Sequence, residues 1–128
     1  MNQENTLPYT LAFEHRPEYL YAKVTGTEDS FDISLSYWTR VAEERLAHNY
    51  TKVLVDEDLQ QQVALIDVYE LATILCEMGF AGSTIAFVDR QMDHQEYNKF
   101  AETVAVNRGL KGRVFIDFEE AEKWLLSA

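Results

Sequence analysis

Charged side chains stand where short apolar segments run out: Asp56, Glu57 and Asp58 after residues 52–55, Asp89 and Arg90 after residues 84–88. Ligands of open α/β sheets collect at the carboxyl ends of parallel strands. Asp56, Asp58, Asp89 and Arg90 are therefore a candidate strand-end ligand site. Carboxylate oxygens are the donors that hard cations such as Mg²⁺ take. A metal-dependent enzyme would need Asp56, Asp58 and Asp89 within reach of one ion. The set falls short of a receiver-type phosphoacceptor: no lysine follows the last strand, and the first does not end in paired acids. His15, His48 and His94 fall in a turn, a helix end and a first helical turn, without the spacing of a metal pair, and are expected at the surface. His94 beside Asp93 has the form of a general base, but nothing supplies a nucleophile. The five glycines are scattered, and Gly79, Phe80, Ala81 and Gly82 read as a helix exit and turn, not a phosphate loop. No catalytic residue, metal or cofactor is assigned.

The elements that must position these residues are legible from periodicity. Tyr9, Leu11 and Phe13 alternate with Thr10, Ala12 and Glu14, which is strand spacing. Residues 15–18 turn at Pro17, and residues 19–25 form a second strand with Leu20, Ala22 and Val24 on one face. The two pair as an antiparallel hairpin. Asp29 or Ser30 caps a helix whose apolar stripe is Phe31, Leu35, Trp38, Val41, Ala42 and Leu46. Residues 52–56 are a strand buried on both faces, followed by a polar loop at 57–62.

Asp67, Asp93 and Asp117 each stand three residues before a glutamate, and each predicts a helix start by capping. The second helix carries Val68, Leu71, Ala72, Leu75 and Met78 and stops at Gly79. The third carries Tyr97, Phe100, Ala101 and Val104 and stops at Gly109. The fourth carries Phe118, Ala121, Trp124 and Leu125. Strands at 84–88 and 113–117 lie between these helices. The fold class is α/β: a single mixed, mostly parallel sheet with an N-terminal antiparallel hairpin, in the order β-β-α-β-α-β-α-β-α. Residues 1–128 are read as one domain.

Composition narrows the partners. Of 128 residues, 22 are acidic and 11 basic, for a net charge of −11. Phosphate backbones are bound by Lys and Arg that displace counterions, so nucleic acid and anionic membrane surfaces are excluded as partners. Cys76 sits in an apolar helical run and reads as a buried, inert thiol. The polar opening Met1, Asn2, Gln3, Glu4 and Asn5, with no apolar run after it, makes the cytoplasm the expected location.

Two stretches carry a family resemblance: Val53-Leu54-Val55-Asp56 with Val63-Ala64-Leu65-Ile66-Asp67, and residues 107–125 with Asn107-Arg108-Gly109, Arg113-Val114-Phe115 and Glu120-Ala121-Glu122-Lys123-Trp124-Leu125. With the element order, they make the chain resemble the STAS domains of anti-sigma-factor antagonists and sulphate-transporter tails, closest to the SpoIIAA-like, STAS/Sec14-type proteins. The resemblance spans about residues 11–126. It implies a non-enzymatic regulatory module that binds a protein partner. In phosphorylated members an aspartate before the second helix is followed by two serines and a glycine, the first serine accepting phosphate. Here Val68, Tyr69 and Glu70 follow Asp67. The phosphoswitch implied by the family is therefore expected to be absent.

The candidate interaction surface is Ile66, Asp67, Val68 and Tyr69, with the 57–62 loop beside it. A homodimer through the hairpin's edge strand is a further expectation. The alternative reading is a carrier for a small apolar or lipid-like ligand, which the Sec14 relationship implies. Its cavity would be lined by the aromatics crowding the N-terminal third: Tyr9, Phe13, Tyr19, Tyr21, Phe31, Tyr37 and Trp38.

Overall fold

The computed structural model describes residues 7–128; the polar opening falls in residues 1–6, outside them. Strands β1 (Tyr9–His15) and β2 (Leu20–Gly26) form the expected hairpin, with Phe13 opposite Ala22. Strands β3 (Lys52–Leu59), β4 (Thr84–Asp89) and β5 (Lys111–Phe115) add in turn, each parallel to its predecessor, so the sheet order is β1-β2-β3-β4-β5. Helices α1 (Phe31–Ala47), α2 (Leu65–Leu75), α3 (Gln95–Asn107) and α4 (Phe118–Ser127) complete the predicted order. No helix among the described residues is long and apolar enough to cross a membrane.

Strand alternation divides the core in two. Val53, Val55 and Leu59 join Leu20, Ala22, Val24 and Ile85 on one face, under Tyr37, Val41 and Ala42 of α1, with Ala105 of α3 and Leu75 of α2 against them. Tyr21, Leu54, Ala86 and Val88 point to the other face and pack on Ala121 and Leu125 of α4. Three helices thus cover one side and one covers the other. Each fully buried Val or Leu here adds about 1.5–3 kcal/mol of apolar burial.

Several local expectations shift. The 57–62 segment is not all loop. β3 continues through Leu59 because β2 offers ladder partners that far, pairing Val24 with Glu57 and Gly26 with Leu59. Asp67 does not cap α2. The helix begins two residues earlier, at Leu65, with the Ala64 carbonyl accepting from the Asp67 and Val68 N–H groups; Asp67 remains in the first turn. Residues 65–67, read as leading into the helix, are part of it. α2 also ends early, at Leu75, and a turn leads to Gly79 at φ +110°, where Leu46 lies against it.

Asp93 does not cap α3. It lies in a short 3₁₀ turn, Met92–His94, and the Asp89 carboxylate already accepts the Gln91 N–H that opens that turn. Ser30 and Asp117 do cap, accepting from the Ile33 and Glu120 N–H groups. The last strand sits two residues earlier than expected. The α1 stripe is rotated: its buried face is Ile33, Ser34, Tyr37, Val41, Ala42 and Arg45, while Leu46 is exposed. That rotation turns the hydroxyls of Ser34 and Tyr37 inward.

Candidate functional site

Asp56 and Glu57 are consecutive in β3, so their side chains leave opposite faces of the sheet. Both are buried. On the α4 face the Asp56 carboxylate is fully engaged. Arg90 clamps it with Nε at 3.0 Å from Oδ1 and Nη2 at 2.8 Å from Oδ2. Tyr21 donates its hydroxyl at 2.6 Å and Lys23 approaches at 3.4 Å. Burial alone would raise this carboxyl, but the Arg90 and Tyr21 hydrogen bonds and the Lys23 charge outweigh it and hold it below the usual aspartate value.

On the other face Glu57 points under α1 and receives the Tyr37 hydroxyl. Its neighbour across the ladder is Asp89, at the end of β4. Asp89 accepts from the Gln91 N–H at 3.0 Å and the Asn98 amide of α3 at 2.9 Å. Its Oδ2 lies 3.0 Å from Nδ1 of His94, whose Nε2 faces the Gln60 carbonyl at 3.2 Å. Which ring nitrogen donates is set by the tautomer. Asp29, from the loop before α1, accepts from the Ser30 N–H and the Ser34 hydroxyl, both at 2.8 Å.

This cluster is electrostatically unlike the Asp56 site. Three carboxyls meet one imidazole, and no Lys or Arg hydrogen-bonds to them among the described residues. Burial pushes the Glu57 carboxyl well above its ordinary value, and the charges of Asp29 and Asp89 push it further. Burial likewise raises Asp29, to about 6, against the opposing pull of its two serine hydrogen bonds. Burial and the neighbouring carboxylates thus both favour the protonated form of Glu57.

The cluster forms the polar end of a half-enclosed cavity of about 140 Å³ between the sheet and helices α1, α2 and α3. Its walls are apolar: Trp38, Val68, Ala72, Leu75, Ile85, Phe87 and Ala101. An engineered apolar cavity of about 150 Å³ accepts benzene, so this one has room for roughly a single ring. Of the seven N-terminal aromatics, Tyr37 and Trp38 line it. Tyr19 and Tyr21 lie in the α4 core.

The predicted strand-end set is divided by the sheet. Asp56 and Arg90 come together on the α4 face, Asp58 accepts from Gln91 at 3.0 Å, and Asp89 lies on the cavity side. The expectation of surface histidines fails for His94, which is 2 % exposed because the 3₁₀ turn folds it back onto Asp89. Glu57, Asp89 and His94 offer ligand atoms within 4.8 Å of one another. An ion there would displace hydrogen bonds that already satisfy both histidine nitrogens. Of the cluster residues, the sequence reading took Asp29 as a helix cap, Tyr37 as an aromatic of the apolar cavity and Glu57 as a strand-end carboxylate outside the candidate ligand set; Asn98 it did not single out. One signal was available: Glu57 occupies an otherwise apolar parity of β3, with Val53, Val55 and Leu59.

The candidate interaction surface is split by the pitch of α2. Ile66 is 81 % exposed, and Tyr69 and Leu65 are each about half exposed, whereas Val68 turns inward to the cavity wall. Arg108 donates to the Tyr69 hydroxyl at 3.1 Å.

No family model matches the chain, and no curated protein matches it. Its backbone, however, is shared with a solved structure. The crystal structure of an anti-sigma factor antagonist from Mycobacterium paratuberculosis superposes with a TM-score of 0.62, over 92% of this chain and 94% of that one, at 9% identity. Likeness at that identity concerns the fold, and the fold is the one the sequence resemblance implies.

Proposed function

We propose that this chain is a non-enzymatic, cytoplasmic regulatory module of STAS type that works by binding a protein partner through the start of α2. The observation that carries the reading is the exposed apolar trio Leu65, Ile66 and Tyr69 at the entrance of α2, in a fold shared with an anti-sigma factor antagonist. Solvated apolar side chains grouped on one helix start suit a protein interface, with tyrosine giving large area and one polar tip. The segment 63–70 holds no serine or threonine, so control by serine phosphorylation is absent from this reading. Replacing Ile66 and Tyr69 together by serine tests it. The variant should keep its fold by circular dichroism and lose whatever partner the native chain retains through purification from its host. A partner retained by that variant sinks the reading.

The cavity favours a second function: binding a small, largely apolar molecule of about one ring, with a polar group set against Glu57 and Asp89. Native mass spectrometry of the purified chain tests this directly. A bound organic adduct supports it, and no adduct or added-ligand binding across a panel of ring-sized compounds removes it.

A further inference from the structure

The tertiary structure brings together two histidines that are 33 positions apart in sequence. His15 ends β1, and His48 is the C-cap of α1. Their rings lie 4.3 Å apart between centroids, tilted by 54°. Both present Nε2 to the same oxygen of Glu44, His15 at 2.6 Å and His48 at 3.4 Å. The three ligand atoms all fall within 4.8 Å of one another. Glu44 and His48 are spaced i, i+4, which places both on one face of α1. His15 is delivered to that face by the end of the hairpin.

We propose that His15, Glu44 and His48 form a binding site for one divalent transition-metal ion of the Zn²⁺ class. The donor set is the first argument. Two imidazoles and one carboxylate suit borderline ions such as Zn²⁺, rather than Mg²⁺ or Ca²⁺, which prefer oxygen alone. Spacing is the second. Zn–N and Zn–O bonds of about 2.0–2.2 Å in tetrahedral geometry put ligand atoms roughly 3.3 Å apart. The separations of 2.6 and 3.4 Å therefore need adjustments of well under 1 Å, within the reach of side-chain torsions. Exposure is the third. His15 and His48 are 40 % and 48 % exposed and Glu44 is 27 % exposed. An ion can enter without unfolding, and water completes its coordination. The chain's net charge of −11 also favours any cation.

The site contrasts with the buried Glu57, Asp89 and His94 group, where both imidazole nitrogens are already satisfied by protein acceptors. At the surface site, Nε2 of both rings is turned toward one shared oxygen. Two imidazoles competing for a single acceptor gain when a cation replaces the competition. Binding requires neutral imidazole, so affinity should rise with pH.

The chain has only three histidines, so one experiment reads every site. Protein without an affinity tag is titrated with ZnCl₂ at pH 7.5 by calorimetry, and the histidine ring protons are followed by NMR with Zn²⁺ and then Co²⁺. The expected result is one equivalent bound with micromolar affinity. The resonances of His15 and His48 shift with Zn²⁺ and broaden strongly with Co²⁺; those of His94 change least. His15→Ala and His48→Ala should each weaken binding by on the order of 100-fold, at the upper end of the 10- to 100-fold typical of outer partners. Glu44→Gln should weaken it less. His48→Gln should weaken it as much as His48→Ala while leaving the fold intact, which guards against a folding artefact at the helix end. Absence of stoichiometric binding at 100 µM Zn²⁺ overturns the proposal. So does binding that survives both histidine variants, or binding that perturbs His94 alone.

Discussion

Asp56 and Glu57 share a peptide bond, and the sheet sends them into opposite environments. Asp56 faces α4 and meets Arg90, Tyr21 and Lys23, so its charge is matched where it is buried. Glu57 faces α1 and meets a tyrosine, a histidine-paired aspartate and Asp29, with no matching Lys or Arg among the described residues. The first arrangement is matched: Tyr21, which donates to Asp56, packs edge-on against Phe118, and Arg90 reaches the surface. The second is open beside a cavity. Buried ionisable groups are ordinarily paired. A group that is hydrogen-bonded but unmatched in charge, at the end of an apolar cavity, suits ligand recognition better than stability.

The two faces should therefore respond differently to perturbation. The largest effect is expected at the matched site. Asp56→Ala strands the Tyr21 hydroxyl and removes the counter-charge of Arg90, and should cost about 2–3 kcal/mol by urea denaturation at pH 7, below the full cost of breaking a buried pair because Arg90 can turn to water. A loss under about 0.5 kcal/mol would erase the contrast. At the unmatched site the sign reverses. Glu57→Gln keeps an acceptor for Tyr37 and removes the need to hold a proton, so it should raise stability at pH 8 by about 1–2 kcal/mol relative to the native chain while changing little at pH 4.

The pH profile follows from the same shifts. A carboxyl raised in the folded state gives stability that is fully present below its unfolded value and is lost as pH rises through its folded value. Asp29, raised from 3.8 to about 6, should shed stability between roughly pH 4 and pH 6, and Glu57, also raised, works in the same sense. Asp56, lowered from 3.8, works in the other sense, and its contribution is lost as pH falls below about 4. Thermal melts from pH 3 to 8 should show both limbs. Asp29→Asn should flatten the segment from pH 4 to 6, with an effect of about 1 kcal/mol at pH 7 after allowance for its partial exposure. An unchanged profile in that variant would place the titration elsewhere. The smallest effect belongs to neither face. Ile66→Ser, at an 81 % exposed position, should leave stability within about 0.5 kcal/mol, since it empties no core volume.

Much of the architecture is legible in one dimension. Alternation of Leu20, Ala22 and Val24 and the apolar runs at 52–55 and 84–88 depend on side-chain period and β-branching, which are local. Asp117 caps α4 as read, because its turn is unencumbered. Asp93 fails as a cap because it lies inside the 3₁₀ turn Met92–His94, which leaves His94 at the N-cap position of α3. Asp67 fails because Leu65 and Ile66 extend the helix past it, at the cost of exposing both.

The candidate site was half visible. Asp89 is placed at a strand end, as read, because strand ends follow from periodicity. Its grouping with Asp56 does not survive, since strand parity sends the two to opposite faces once β3 and β4 are in register. Parity within β3 would have separated Asp56 from Glu57; it could not have shown that α1 brings Tyr37, or that the 3₁₀ turn folds His94 back onto Asp89.

By itself the sequence determined the element order, the parity of each strand and the acidic excess, because these depend on neighbours one to four residues away and on composition. The tertiary structure alone decided which polar groups share a site. His15 with His48, Glu57 with Tyr37, and Asp56 with Arg90 are joined by sheet register and helix rotation, whose energies are summed over the whole core and written in no single segment.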